Sequence, residues 1–172
     1  MPADHVDMAD DTNRPDHLRS WQQFSEEAPD LAAAVRARFE ATKHHVLATL
    51  RSDGAPRVSG VELIFAEGEL LVGSMWKAVK ALDLRRDGRF ALHSNPGDGS
   101  MEGGDSKVSG VAVEIAGPLH AKVEQDMQPP TPFHLFRLDL DQVVHSTLHP
   151  SGDRMVVSWW RPGKPVTSVE RQ

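Results

Sequence analysis

The chain has 172 residues, of which 39% are hydrophobic and 26% charged, and its formal net charge is −6. That length suits one domain with a sizeable core, and the acidic balance argues against general nucleic-acid binding, which needs a basic footprint. The absence of cysteine excludes disulfides, thiolate metal sites and a cysteine nucleophile; no apolar run is long enough to span a bilayer and no signal-peptide pattern opens the chain, so a cytoplasmic protein is expected.

Residues 1–24 are polar and acidic at their start and are expected to form a disordered or loosely packed leader, with a single domain over residues 25–172. Ser25 to Thr42 is read as the first helix, because acidic residues and Pro29 sit at its start and Leu31, Val35 and Phe39 recur every four positions. The period then changes. His45 to Leu50, Pro56 to Phe65 and Glu69 to Ser74 read as three strands joined by Ser52-Asp53-Gly54 and Ala66-Glu67-Gly68, an antiparallel meander. Met75 to Arg86 reads as a second helix with Val79 and Leu82 on its buried stripe, stopped by Asp87-Gly88. Arg89 to Ser94 is a fourth strand, Asn95 to Ser106 a glycine-rich loop, and Lys107 to Val123 a long fifth strand bent at Gly117-Pro118. Phe133 to Leu140 and Arg154 to Arg161 are the last strands, and the tail after them is irregular. This order predicts a mainly β protein, an antiparallel barrel with few helices, since closure removes exposed edges and two helices cannot cover both faces of a parallel sheet.

Lys77 and Lys80 fall at the start of the second expected helix, where the dipole disfavours cations by about 0.3–1 kcal/mol each. A bound phosphate would reverse that sign, because a helix start offers free backbone N–H groups as well as the dipole. Ser74, at the strand-to-helix junction beside Met75, is placed to cap the helix or to bond a phosphate oxygen. Two solvated lysines on an exposed helix are the alternative. Arg57 and Ser59 head an otherwise apolar strand face, either at a wet strand end or in a site. Of the neighbours Trp159 and Trp160, one faces the core and one points out; a lid over a flat ring and plain core packing are both open. The histidines are scattered and none shows metal-ligand spacing, so no metal is expected. No G-x-S-x-G nucleophile signature appears, and "GDGSMEGG" lacks the Lys-Ser/Thr ending of a phosphate loop.

The stretch "VLATLRSDGAPRVSGVELIFAEGELLVGSMWKAVKALDLRRDGRFALHS", followed by "GVAVEIAGPLHAKV" and a late tryptophan strand, resembles the pyridoxamine 5′-phosphate oxidase-like family of FMN-binding split β-barrels. The resemblance covers about residues 28–161 and is nearer to the flavin/deazaflavin oxidoreductase branch than to the true oxidases, whose arginine- and tyrosine-bearing C-terminal segment is missing here. It implies a homodimer with cofactor sites at the subunit interface and FMN, the deazaflavin coenzyme F-420 or, less often, haem as cofactor. It implies an oxidoreductase acting on a small organic molecule; the alternative is a non-catalytic FMN or haem carrier of the same fold. Cofactor contacts are expected from Arg57, Val58, Ser59, Ser74, Met75, Lys77, Lys80 and Trp160, with Lys80 on the phosphate and no catalytic acid or base assigned. Five cations gather here, Arg57, Lys77, Lys80, Arg85 and Arg86; the last two suit the helix end, and the three surplus ones, with the resemblance, lean slightly toward the more acidic coenzyme F-420 over FMN. No nucleic-acid or membrane partner is expected.

Overall fold

The computed structural model describes residues 13–172. In chain order the elements are α1 (Trp21–Glu27), α2 (Pro29–Glu40), β1 (His45–Leu50), β2 (Pro56–Val61), β3 (Leu63–Ala66), β4 (Glu69–Met75), α3 (Val79–Arg86), β5 (Arg89–His93), β6 (Asp105–Glu114), α4 (Pro118–Met127), β7 (Phe133–Leu148), β8 (Met155–Trp160) and β9 (Thr167–Arg171). All strand pairs are antiparallel, and the sheet runs β2-β1-β5-β6-β7-β4-β3, with β8 added to β7 and β9 to β8. The mainly β expectation holds.

The leader expectation divides. Residues 1–12 lie outside the described residues, whereas residues 13–24 are packed against the sheet. Arg14 is salt-bridged to Glu69 at 2.8 Å and to Asp139 at 2.9 Å, and Asp139 also takes Arg137. Arg19 and Leu140 exchange both backbone hydrogen bonds. Ser20 then starts α1 with a capping box to Gln23, two orphan donors satisfied at once. The single helix expected over residues 25–42 is two helices, because Pro29 has no N–H to continue α1 and instead begins α2.

The main core lies between these two helices and the concave side of the sheet. Phe24 is fully buried, with ring centroids 5.2 Å from Trp21 and 4.7 Å from Trp160, and Leu31, Val35 and Phe39 of α2 pack on the same cluster as Leu47, Leu92 and Leu138. Truncating a ring such as Phe24 would cost about 3–5 kcal/mol. Gly110 marks a bulge in β6 against β7, where any Cβ would collide with the Asp139 carbonyl.

Five further expectations are corrected. The strand expected over residues 56–65 breaks at Glu62 into β2 and β3, which sit at opposite ends of the sheet order. The helix expected from Met75 begins only at Val79. Residues 118–127, read as the end of a bent strand, form α4, whose Val123 joins Leu71, Ile115, Phe133 and Leu135 in a second core. β7 runs unbroken for 16 residues, and the tail supplies β9.

Candidate functional site: a groove at the split in the barrel

Because Glu62 alone links β2 to β3, the chain crosses from one end of the sheet order to the other without a ladder between them. A groove of about 550 Å³ opens at this split, a size within the usual range for small-ligand sites. One wall is Gly60, Val61, Glu62 and Ile64; the floor is Gly73, Ser74 and Met75 of β4; the far wall is the end of α4 with Pro129, Pro130 and Phe133. Lys80 enters from α3.

The groove has polar capacity to spare. Ser74 is 8% exposed and its Oγ is buried without a hydrogen-bond partner, a state that costs about 1–3 kcal/mol unless something else satisfies it. Lys80 Nζ donates to the Gly60 carbonyl at 2.8 Å and has no acidic partner among the described residues. Burial holds its ammonium below the usual lysine range. Gly60 and Gly73 both leave room: a Cβ added at either would meet nothing within 4 Å. At the mouth, Glu62 lies 3.4 Å from both Lys43 Nζ and His44 Nε2.

Of the eight residues expected to contact a cofactor, Ser74, Met75 and Lys80 line the groove. Arg57 does not. Its Nε donates to Asp83 Oδ2 at 2.6 Å, beside Thr49 Oγ1 at 2.9 Å and Arg86 at 3.3 Å, so the guanidinium is engaged beneath α3. Arg86 also reaches the Leu50 carbonyl. Val58 projects to the outer surface, Ser59 is half-buried on the strand without facing the groove, and Lys77 is exposed. Trp160 is fully buried against Phe24 and donates its indole N–H to Glu27 Oε2 at 3.2 Å; it is core and cannot cover a ligand. The sequence reading missed Gly60, Gly73 and the α4 wall. The signal for the glycines was their place inside strands, where the residue marks close approach to the backbone.

The lysine puzzle changes form. Lys77 precedes α3 and adopts φ +59°, while Lys80 is the second residue of the helix and folds back on Gly60. An unpartnered hydroxyl, a partly buried ammonium and open space over two glycines, backed by Ile64, Met75, Met127 and Phe133, suit a ligand with an anionic tail and a flat apolar body. Among the described residues no group of three or more His, Asp or Glu could hold a metal ion.

No family model and no curated protein matches the sequence. Solved structures do match. A pyridoxamine 5′-phosphate oxidase-related, FMN-binding protein of Nostoc punctiforme is similar over 84% of this chain and 96% of its own, with TM-score 0.57 and 15% identity. PhzG of Burkholderia lata, solved with tetrahydrophenazine-1-carboxylic acid, matches over 94% and 95%, with TM-score 0.57 and 15% identity. The haem-storage protein HutZ of Vibrio cholerae matches over 68% and 92%, with TM-score 0.55 and 18% identity. The chain therefore has the split-barrel fold of the pyridoxamine 5′-phosphate oxidase-related, FMN-binding proteins.

Proposed function

We propose that the groove binds FMN and that the protein is a flavin-dependent oxidoreductase acting on a small organic molecule. The observation that carries this is a groove lined by both the partly desolvated Lys80 and Ser74, whose Oγ is buried without a partner among the described residues, with open space over Gly60 and Gly73. Lys80 and Ser74 would hold the phosphate. The apolar wall of Ile64, Met127 and Phe133 would take the ring and exclude water from its face. FMN supplies the hydride or electron transfer when bound; the chain's own part is to bind and orient it.

The preference for coenzyme F-420 is weakened. It leaned on three cations surplus to local need, Arg57, Lys77 and Lys80, and on the resemblance; Arg57 is engaged with Asp83 and, of the two lysines, Lys80 lines the groove. One lysine there suits a single phosphate better than the longer acidic tail of the deazaflavin. Likeness to FMN-binding neighbours points the same way.

The protein is proposed to work as a homodimer. Val58, Met75, Trp76, Val79 and Leu82 are exposed apolar residues on β2, the β4–α3 turn and α3, and a concentration of such residues is the mark of an interaction surface. Light scattering should give about twice the 18.9 kDa chain mass; a monomer at micromolar concentration overturns it. No helix of the described residues is long and apolar enough to cross a membrane, and a cytoplasmic location is proposed.

Titration with FMN and with coenzyme F-420, followed by absorbance and calorimetry, tests the cofactor. Tight F-420 binding without FMN binding would reverse the choice. A second reading, a haem carrier without turnover, draws on the likeness to HutZ and on His44 at the groove mouth; it requires a Soret band that shifts in His44→Ala.

A further inference from the structure

The turn between β4 and α3 is held by a histidine that the groove itself does not contain. Lys77 sits in this turn in the left-handed backbone region, which a lysine keeps only where its surroundings enforce it. His134 on β7, 1% exposed, enforces it: the Lys77 backbone N–H donates to His134 Nε2 at 3.1 Å. The other ring nitrogen, Nδ1, is 2.6 Å from Glu114 Oε1 on β6. Glu114 Oε2 in turn lies 3.0 Å from Arg85 Nε in the last turn of α3. Trp76 stacks on the imidazole with centroids 4.6 Å apart and planes 12° from parallel, and Phe136 lies on the ring at 6.2 Å. One side chain thus joins β6, β7 and the turn, and through Glu114 it reaches α3.

These partners fix the tautomer. A nitrogen that accepts the Lys77 N–H carries no proton, so the ring proton is on Nδ1 and is donated to Glu114. We propose that His134, as its Nδ1–H tautomer, is the positioning residue of the groove: it clamps the Lys77 turn and so sets where Met75 and Lys80, on either side of that turn, face the ligand. The ligand half of this rests on the groove being the FMN site; the clamp itself belongs to the ligand-free protein. The other tautomer, with its proton on Nε2, would point a donor at the Lys77 N–H and break the clamp. The charged groups joined to the ring are Glu114 of β6 and, behind it, Arg85 of α3; Lys77 meets it through its backbone N–H.

The test uses the full chain. Nitrogen-15 NMR of the ligand-free protein should show Nδ1 protonated and Nε2 bare at His134; the Nε2–H tautomer overturns the proposal. The Lys77 amide should exchange slowly, and about tenfold faster in His134→Ala, the ratio for loss of one well-made hydrogen bond. FMN affinity should fall about tenfold in His134→Ala. His134→Gln, whose Oε1 can accept at the Nε2 position, should recover it. Equal FMN affinity in all three proteins, with unchanged Lys77 exchange, overturns the clamp. A wild type that binds no FMN yet shows the Nδ1–H tautomer and a protected amide supports the clamp and overturns the cofactor reading alone.

Discussion

Asp83 and Ser74 are both more than nine-tenths buried and lie nine residues apart in sequence, yet their surroundings are opposite. Asp83 takes hydrogen bonds from Thr49, Arg57 and Arg86. Ser74 Oγ takes and gives none. The first centre ties β1, β2 and α3 together and has nothing left to offer a ligand. The second is incomplete, in a groove shared with a lysine whose side chain, among the described residues, bonds a backbone carbonyl and no acidic group. Satisfied buried polar groups build the frame, and in the proposed reading the unsatisfied Ser74 hydroxyl in the groove is left for a ligand.

The comparison breaks most easily at Asp83. Asp83→Ala leaves Arg57 without its partner and Thr49 unbonded, and should cost about 3–5 kcal/mol, read by urea unfolding; a loss under about 1 kcal/mol would show that the centre does not hold the frame. It also carries a pH signature. Burial by itself would raise the Asp83 carboxyl, but the hydrogen bonds from Arg57, Thr49 and Arg86 and the charge of Arg57 outweigh it and hold it below the usual range. Its folded value is therefore below its unfolded one. The contribution is complete above about pH 4 and is lost as pH falls through the folded value, a slope that Asp83→Ala should lack.

At the other centre the effects should appear in binding. Lys80→Ala should weaken FMN by about 1.5–3 kcal/mol, the range for a charge-assisted hydrogen bond, with a melting temperature near that of the wild type. Unchanged affinity at fixed salt would remove Lys80 from the site. Gly73→Val sharpens the contrast, since the strand gains a better strand-former where a Cβ meets nothing. Stability should stay level or rise by up to about 1 kcal/mol, while FMN affinity falls by about 1 kcal/mol or more as the branched side chain fills the groove floor. Binding left intact by Gly73→Val places the ligand elsewhere. Lys77→Ala should do least, under about 0.5 kcal/mol on affinity, because an exposed charge is screened.

Much of the frame was legible because its turns carry their own chemistry. Asp53-Gly54 and Glu67-Gly68 fixed the hairpins, and Asp87 ended α3 where expected. Polar residues that are buried in pairs misled. The strand expected to stop at Leu140 runs on to Leu148, and within it Asp139 takes both Arg137 and Arg14. α4 hid behind Gly117-Pro118, which was read as a bend although Pro118 begins a helix and Leu119, Val123 and Met127 keep a four-residue period. Lys80 and Ser74, which line the groove, stood out in the sequence because their position, a strand running into a helix start, is chemically distinctive. Arg57 was misplaced because nothing local to it reveals Asp83, which lies 26 residues on.

The one-residue link between β2 and β3 has a mechanical meaning. Elsewhere around the sheet the spacing of neighbours is set by rows of hydrogen bonds, stiff against separation. Across the split no ladder sets it: among the described residues the spacing rests on the torsions of Glu62, on the bond from Lys80 to the Gly60 carbonyl, and on Val61, which lines the groove and is packed into the main core. The groove wall is therefore tied to the frame through side-chain packing where the rest of the sheet is tied through its backbone.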